Sequence, residues 1–256
     1  MADVLDLRVG IDVGGTNTDT VVLKRDGTLL AKAKVPTTAD VTGGIVAGID
    51  AALRSPRVDV GRITHVMLGT THATNAVLER RGLRRVAVVR LGSPATHAVR
   101  PLFGWPEDLR LAVSAGEAIL PGGIEFDGRE IVPFDAEAVR RFLGSLAPAP
   151  AGVAITSVFS PVSDEHELAA AELSREVLDG ADVSLSHEIG SIGLLERENA
   201  TVLNAALVDV AREVAEALRT ALASCGLSPV TLFAQDRKST RLNSSHSRAS
   251  RMPSSA

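Results

Sequence analysis

Tyrosine is absent from this 256-residue chain, and aromatic residues make up only 3% of it. A core with so few large rings has to be assembled from Ala, Val, Leu and Ile, and a hydrophobic content of 45% is ample for that. Cysteine occurs once, at Cys225, which excludes an internal disulfide and fits a reducing, cytoplasmic compartment. That thiol reads as a small packing residue rather than a reactive group. No apolar run reaches the roughly 18 residues that cross a bilayer, so no membrane contact is expected. The segment Met1–Asp6 carries two acids and no basic residue, which argues against a secretory leader. Also missing are a Cys/His cluster with zinc spacing, a His-Glu-x-x-His and a Gly-x-Ser-x-Gly. Gly43-Gly44 and Gly122-Gly123 lack the Lys-Ser/Thr of a Walker-type loop.

Charge is unevenly spread. The whole chain carries −4, yet Arg237, Lys238, Arg241, Arg248 and Arg251 follow Asp236 with no acid among them, so residues 1–236 carry −9. An acidic body argues against nucleic acid as a partner. Residues 237–256 contain seven serines and almost nothing apolar. Such a stretch buries too little surface to offset its chain entropy and is expected to be disordered. Its string from Arg237 to Ala256 resembles translated sequencing-adaptor read-through, so 236–256 is set aside as an artefactual tail.

What is present begins with strands. Arg8–Val13 alternates and is rich in β-branched residues, Gly14-Gly15 is a turn, and Thr16–Leu23 is a second strand. Asp26-Gly27 turns the chain into a third strand, Thr28–Val35, giving an antiparallel meander. Asp40–Arg54 reads as a helix capped by Asp40 or Thr42. Strands at 65–68, 85–89, 153–155, 183–185 and 230–233 then alternate with helices at 74–81, 135–146 and 163–178 and a long helical stretch at 194–223. Residues 91–134 show no clear period and read as an insertion with a small hairpin at Asp127-Gly128. Ser163 with His166-Glu167 resembles a capped helix start. The pattern predicts an α/β fold: a mixed sheet beginning with three antiparallel strands, followed by alternating αβ units.

The strongest chemical signal is Asp12-Val13-Gly14-Gly15-Thr16-Asn17-Thr18-Asp19. Two glycines at a strand–strand turn remove the Cβ atoms that would keep a phosphate from backbone N–H groups. Thr16 and Thr18 fall on one face by the strand period, placing both hydroxyls toward phosphate oxygens. Asp12 ends the first strand, where a carboxylate can hold Mg²⁺. An ordinary Gly-Gly hairpin is the bland alternative. A second signal, Gly69-Thr70-Thr71-His72-Ala73-Thr74-Asn75-Ala76, lies where a strand meets a helix. Thr70, Thr71 and free N–H groups there make an anion or carbonyl site, or simply cap the helix. Asn75 offers an amide donor and acceptor, and His72 is open between a substrate contact and a surface role. A third stretch runs Ser186-His187-Glu188-Ile189-Gly190 and then Leu195-Glu196-Arg197-Glu198-Asn199-Ala200-Thr201-Val202-Leu203-Asn204-Ala205. Neighbours on a strand point to opposite faces, so His187-Glu188 reads as structural rather than as an acid/base pair. His65, His97 and His166 show no partner pattern.

The first octet resembles the phosphate motif of the actin, sugar-kinase and Hsp70 superfamily. Thr18-Asp19 and the Gly69–Ala76 stretch bring it close to the hydantoinase/oxoprolinase family, over roughly residues 7–235. The resemblance implies an actin-like/ribonuclease H-like fold. It also implies ATP and Mg²⁺ as cofactors, and activation of a cyclic amide by phosphoryl transfer to its oxygen before water attacks. By the same resemblance Asp12, Asp19, Thr71 and Asn75 are catalytic. Gly14, Gly15, Thr16, Asn17, Thr18 and Thr70 bind the nucleotide, and Asp12 serves the metal. The implied organisation is an N-terminal domain over 1–187, a truncated start of the catalytic domain over 188–235, and the tail. Only one Asp-x-Gly-Gly-Thr occurs, whereas the fold needs two facing hairpins and an adenosine pocket. The fragment is therefore expected to be inactive, with the missing C-terminal half and a hydantoinase B-type subunit as partners. A sugar-kinase-like phosphotransferase, a ketone carboxylase subunit and a non-enzymatic nucleotide-binding module are the alternatives.

Overall fold

The structure is a computed structural model that describes residues 6–37, 41–191 and 193–233. The expected tail, and Asp40 as a helix cap, lie outside the described residues. Two compact units are present: Met1–Asn75 with Val210–Ala256, and Ala76–Asp209.

The first unit opens with the meander. β1 (Leu7–Val13), β2 (Asn17–Lys24) and β3 (Leu29–Pro36) pair antiparallel. α1 (Val41–Leu53) follows, then β4 (Ile63–Thr70) parallel to β1. α2 (His72–Glu79) leads out of the unit. α8 (Val208–Ser224) leads back in to β9 (Val230–Phe233), parallel to β4, so the sheet order is β3-β2-β1-β4-β9. The period of two decides the faces. Leu7, Val9, Ile11 and Val13 are buried while Arg8 and Asp12 are exposed. Val22, Ile45, Ile49, Val66, Leu68, Val214 and Leu218 complete this core.

One contact sets how closely α1 lies on the sheet. Glycine inside a helix costs about 1 kcal/mol relative to alanine, yet α1 carries Gly48 where it crosses β2. A Cβ there would sit 2.5 Å from Thr20 Oγ1 and 3.5 Å from Thr18 Cγ2. Thr20 is fully buried, and among the described residues its hydroxyl has no hydrogen-bond partner. Thr42, the other expected cap, lies inside the helix, which starts at Val41.

In the second unit β5 (Val86–Ser93), β6 (Ser114–Pro121), β7 (Gly152–Ser157) and β8 (Asp182–Leu185) form a fully parallel sheet of order β6-β5-β7-β8. This sheet is separate from the mixed one. Both its faces are covered, so β5 reads as a continuous buried run. Ala87, Val89 and Leu91 pack with residues of α4 (Ala136–Gly144) and α5 (Glu165–Val177). Val86 and Val88 pack with residues of α3 (Glu107–Val113) and α7 (Leu194–Ala206). The short α6 (Ser186–Ile189) follows β8.

Three local expectations are corrected. Residues 91–134 contain α3 and β6 as well as the small hairpin, which is bridged at Ile124–Glu130. β6 is an edge strand with every residue half-buried, so it shows no alternation to read. The expected helix at 194–223 is broken at Leu207 into α7 and α8. There Arg84 forks onto Asp209, also pairs with Asp182, and donates its amide to Ala206 O at 3.0 Å. Finally, α5 starts at Glu165 with Asp164 as a cap that makes no side-chain bond, and Glu167 is turned inward instead.

The deepest charges are paired. Arg90 Nε and Nη2 donate to Glu198 at 2.6 and 2.7 Å, with both side chains almost wholly buried. Leu102 N–H donates to the same carboxylate at 3.1 Å, and the carbonyls of Val99 and Arg100 accept from the guanidinium. Cys225 packs against the core of the first unit. Its thiol is pushed above the usual range by burial first, then by Asp50, whose Oδ1 lies 3.4 Å away.

Two outcomes follow from this packing. Gly48→Ala is expected to destabilise the fold by about 1–2 kcal/mol, because overpacking outweighs the gain in helix propensity. In combination with Thr20→Ala most of that loss is expected to return; additive melting shifts would contradict the contact. A raised thiol is protonated through neutral pH, so iodoacetamide is expected to label Cys225 more slowly in the folded than in the urea-unfolded chain at pH 8. The gap should narrow as pH rises.

Candidate functional site

The β1–β2 turn is held from behind by a chain of hydroxyls. Thr37 Oγ1 donates to Gly14 O at 2.8 Å, which leaves its oxygen to accept from Thr18 Oγ1 at 3.1 Å. Thr37 N–H also donates to Thr16 O at 2.9 Å, and Gly14 N–H to Asn17 O at 3.0 Å. Among the described residues the N–H groups of Gly15 and Thr16 make no hydrogen bond, and both residues are exposed. Two unpaired amides at an exposed glycine turn are what an anion needs.

The open face of the sheet brings carboxylates together. Asp12 and Asp19 are directly opposed in the β1–β2 register, and Asp12 is opposed by Gly69 on β4. A Cβ at Gly69 would lie 3.6 Å from Asp12 Oδ1, so glycine keeps this carboxylate uncrowded. Asp19 is paired with Lys34 at 3.4 Å. Among the described residues no group of three or more His, Cys, Asp or Glu side chains is arranged to hold a metal ion.

The shared face expected for Thr16 and Thr18 is not realised. β2 begins at Asn17, so Thr16 sits in the exposed bend. Thr18 is fully buried toward α1, with its hydroxyl committed to Thr37. Thr70 is likewise occupied: its hydroxyl accepts from His72 N–H at 3.1 Å and is bonded to His72 Nδ1 at 2.6 Å. That is the capping alternative, and it gives His72 a local structural partner. Thr71 is exposed, its backbone tied to Val13 O at 3.5 Å and to Asn75 N–H at 2.9 Å. Asn75 stands beside the turn, its Nδ2 3.6 Å from where a Gly15 Cβ would be. Asp12, Asp19, Gly14, Gly15, Thr16, Asn17 and Asn75 are thus gathered around one hairpin, while Thr18 and Thr70 support it. A separate hollow of about 630 Å³ lies along α1 between Val35 and Arg54, and none of these residues lines it.

The second unit holds a polar cluster that pattern reading missed. Glu167 is fully buried and accepts four hydrogen bonds. They come from Ser157 N–H at 2.8 Å, Ser186 Oγ at 2.5 Å, His187 N–H at 3.1 Å and His187 Nδ1 at 2.7 Å. Buried Arg197 donates to Ser157 O at 2.7 Å and to the hydroxyls of Ser160 and Ser186, and its guanidinium is shifted down by burial. His166 also has partners: Gly123 N–H donates to its Nδ1 at 3.0 Å, and Glu130 lies 2.9 Å from Nε2. These pairings span 10 to 43 residues of sequence, and no local motif marks them.

A mixed sheet opening in an antiparallel meander and continuing through αβ units defines the actin-like, ribonuclease H-like α/β class, as expected. Residues 8–178 match the hydantoinase/oxoprolinase N-terminal region. The chain belongs to that family. It is 27% identical over 245 residues to the caprolactamase alpha subunit of Pseudomonas jessenii, covering 89% of this chain and 35% of that one. An uncharacterized protein of Methanocaldococcus jannaschii is 25% identical over 217 residues, 80% of this chain and 31% of its own. The crystal structure of the ATP-dependent caprolactamase from Pseudomonas jessenii superposes with a TM-score of 0.66 at 25% identity, over 88% of this chain and 35% of that one. A nucleotide-free acetone carboxylase structure superposes with a TM-score of 0.69 at 18% identity, over 90% and 36%. The chain thus spans about a third of the length of these relatives.

Thr37→Val is expected to loosen the turn by about 1 kcal/mol, the worth of one hydrogen bond. Amide exchange at Gly14 should accelerate roughly fivefold, while exchange in β5 stays unchanged. Equal acceleration in both would mean global destabilisation instead.

Proposed function

We propose that this chain contributes the first phosphate-binding hairpin of a longer cytoplasmic enzyme that uses ATP and Mg²⁺ to open a cyclic amide. The carrying observation is the exposed turn beside Asp12, whose Gly15 and Thr16 amides are unpaired among the described residues. Family membership and the ATP-dependent caprolactamase among its relatives support the same reading. The donor set suits a nucleotide-borne Mg²⁺, which is commonly bound through one or two carboxylates together with phosphate oxygens. Asp12 would hold the ion, with Asp19 opposite it in register. Bound there, the ion supplies charge neutralisation on the phosphates.

The protein's own groups have narrower tasks. The Gly15 and Thr16 amides bind phosphate oxygens, and the Thr37–Thr18 hydroxyls keep the turn in shape to do so. Asn75 and Thr71 border the hairpin and would orient the transferring group or the amide carbonyl. An unstrained lactam resists water, so making its oxygen a phosphate ester is what renders the carbon open to attack. With a single hairpin motif, this chain by itself is expected to turn over little or no ATP.

The test is ATP turnover in the full-length parent and in this chain, with and without ε-caprolactam or hydantoin. The parent is expected to respond to a cyclic amide, and Asp12→Asn to lower its turnover by about 100-fold or more, several kcal/mol of lost charge stabilisation. Lactam-coupled turnover by this chain alone, or an Asp12→Asn parent with normal turnover, would contradict the proposal.

A further inference from the structure

The Asp12 carboxylate belongs to a row that runs across four strands of the first unit. Gly69 on β4 is opposite Asp12 on β1, Asp12 is opposite Asp19 on β2, and Asp19 is opposite Lys34 on β3. Directly opposed residues share a face of the sheet, with Cβ atoms about 4.5–5.5 Å apart, and like charges so placed repel. The row therefore sets two carboxylates side by side, with a glycine on one flank and a single ammonium on the other.

The two carboxylates are not equivalent. Among the described residues Asp12 makes no side-chain hydrogen bond or ion pair, and it is exposed. Asp19 is held by Lys34 at 3.4 Å, with the two side chains 36% and 57% exposed. Ion pairs this open to solvent are weak, so Lys34 balances the charge of Asp19 without locking it. Along the same face the next cations are Lys32, opposite Val21, and Arg8, opposite Leu23 and His65. No third His, Cys, Asp or Glu completes a metal site with Asp12 and Asp19 among the described residues. Magnesium keeps several waters and is commonly bound through one or two carboxylates together with phosphate oxygens. If Asp19 were free, the opposed pair would give a divalent cation a two-carboxylate seat with no nucleotide present. With Asp19 paired, one free carboxylate remains, and phosphate has to supply the other ligands.

We propose that Lys34 is a positioning residue that makes cation binding at the hairpin conditional on phosphate. It neutralises Asp19 and leaves Asp12 as the single free carboxylate. The turn is thereby kept from filling with a free divalent cation before the nucleotide arrives, and its amides stay open to the phosphates. This inference rests on the hairpin reading given above and adds to it a residue of β3 that no motif marks.

The experiment measures Mn²⁺ binding to this chain by electron paramagnetic resonance, without nucleotide. The unaltered chain is compared with Lys34→Gln, Lys34→Arg and Lys32→Gln. Lys34→Gln should tighten Mn²⁺ binding by about tenfold, the effect of removing one unit charge beside a partly exposed pair of carboxylates. Lys34→Arg should keep the weak binding of the unaltered chain. Lys32→Gln makes the same change in net charge two residues away and should have a much smaller effect. Adding Asp19→Asn to Lys34→Gln should cancel the gain. An unchanged Mn²⁺ affinity in Lys34→Gln overturns the proposal, and so does an equal gain in Lys32→Gln or a gain that survives Asp19→Asn. Amide shifts at Gly15 and Thr16 with Mg²⁺ and ATP separate the two claims. If they occur while Lys34→Gln gains nothing, the role of Lys34 alone fails; if they are absent, the hairpin reading fails and this inference with it.

Discussion

The close approach of α1 to β2 is the constraint on which the first unit depends. The approach leaves no room for even a methyl group between Gly48 and Thr20, at the cost of a weaker helix and a buried hydroxyl that is unpaired among the described residues. That packing turns Thr18 inward to meet Thr37, and Thr37 holds Gly14. Held at the back in this way, the hairpin leaves the Asp12 carboxylate and the Gly15 and Thr16 amides at its front, without hydrogen-bond partners among the described residues. A phosphate site as proposed there would gain affinity from being preorganised, since no loop would have to be ordered when the ligand arrives.

The second unit solves a different problem. Its sheet is covered on both sides, so charged groups buried against it have to be matched or they destabilise it, although the Thr156 hydroxyl on β7 is left without a partner among the described residues. Arg90 and Glu198 match each other and three backbone groups besides. Glu167 is matched by four donors, and Arg197 is held by serine hydroxyls and a carbonyl.

Local pattern carried much of this architecture. The meander, the hairpin turn and most of the later strands were legible because alternation and turn residues are local signals. β6 was not, since an edge strand that is half-buried throughout has no alternation. The break at Leu207 was not, since it depends on Arg84, 125 residues from Asp209. Around the hairpin the residue types marked a turn that the fold does form, but what Thr18 and Thr70 touch depended on which way each side chain turned. β2 starts one residue later than its composition suggests, which separates Thr16 from the strand. The Glu167–His187 pairing was hidden because the sequence sets His187 beside Glu188, while the fold gives it the carboxylate of α5.

The central claim is that the β1–β2 turn binds phosphate through its free amides. A ¹H–¹⁵N titration of this chain with Mg²⁺ and ATP tests it directly. The account predicts the largest shifts at Gly15 and Thr16, weakened by Asp12→Asn and by omission of Mg²⁺. Shifts confined to other parts of the sheet, or none in residues 14–17 at millimolar nucleotide, would contradict it.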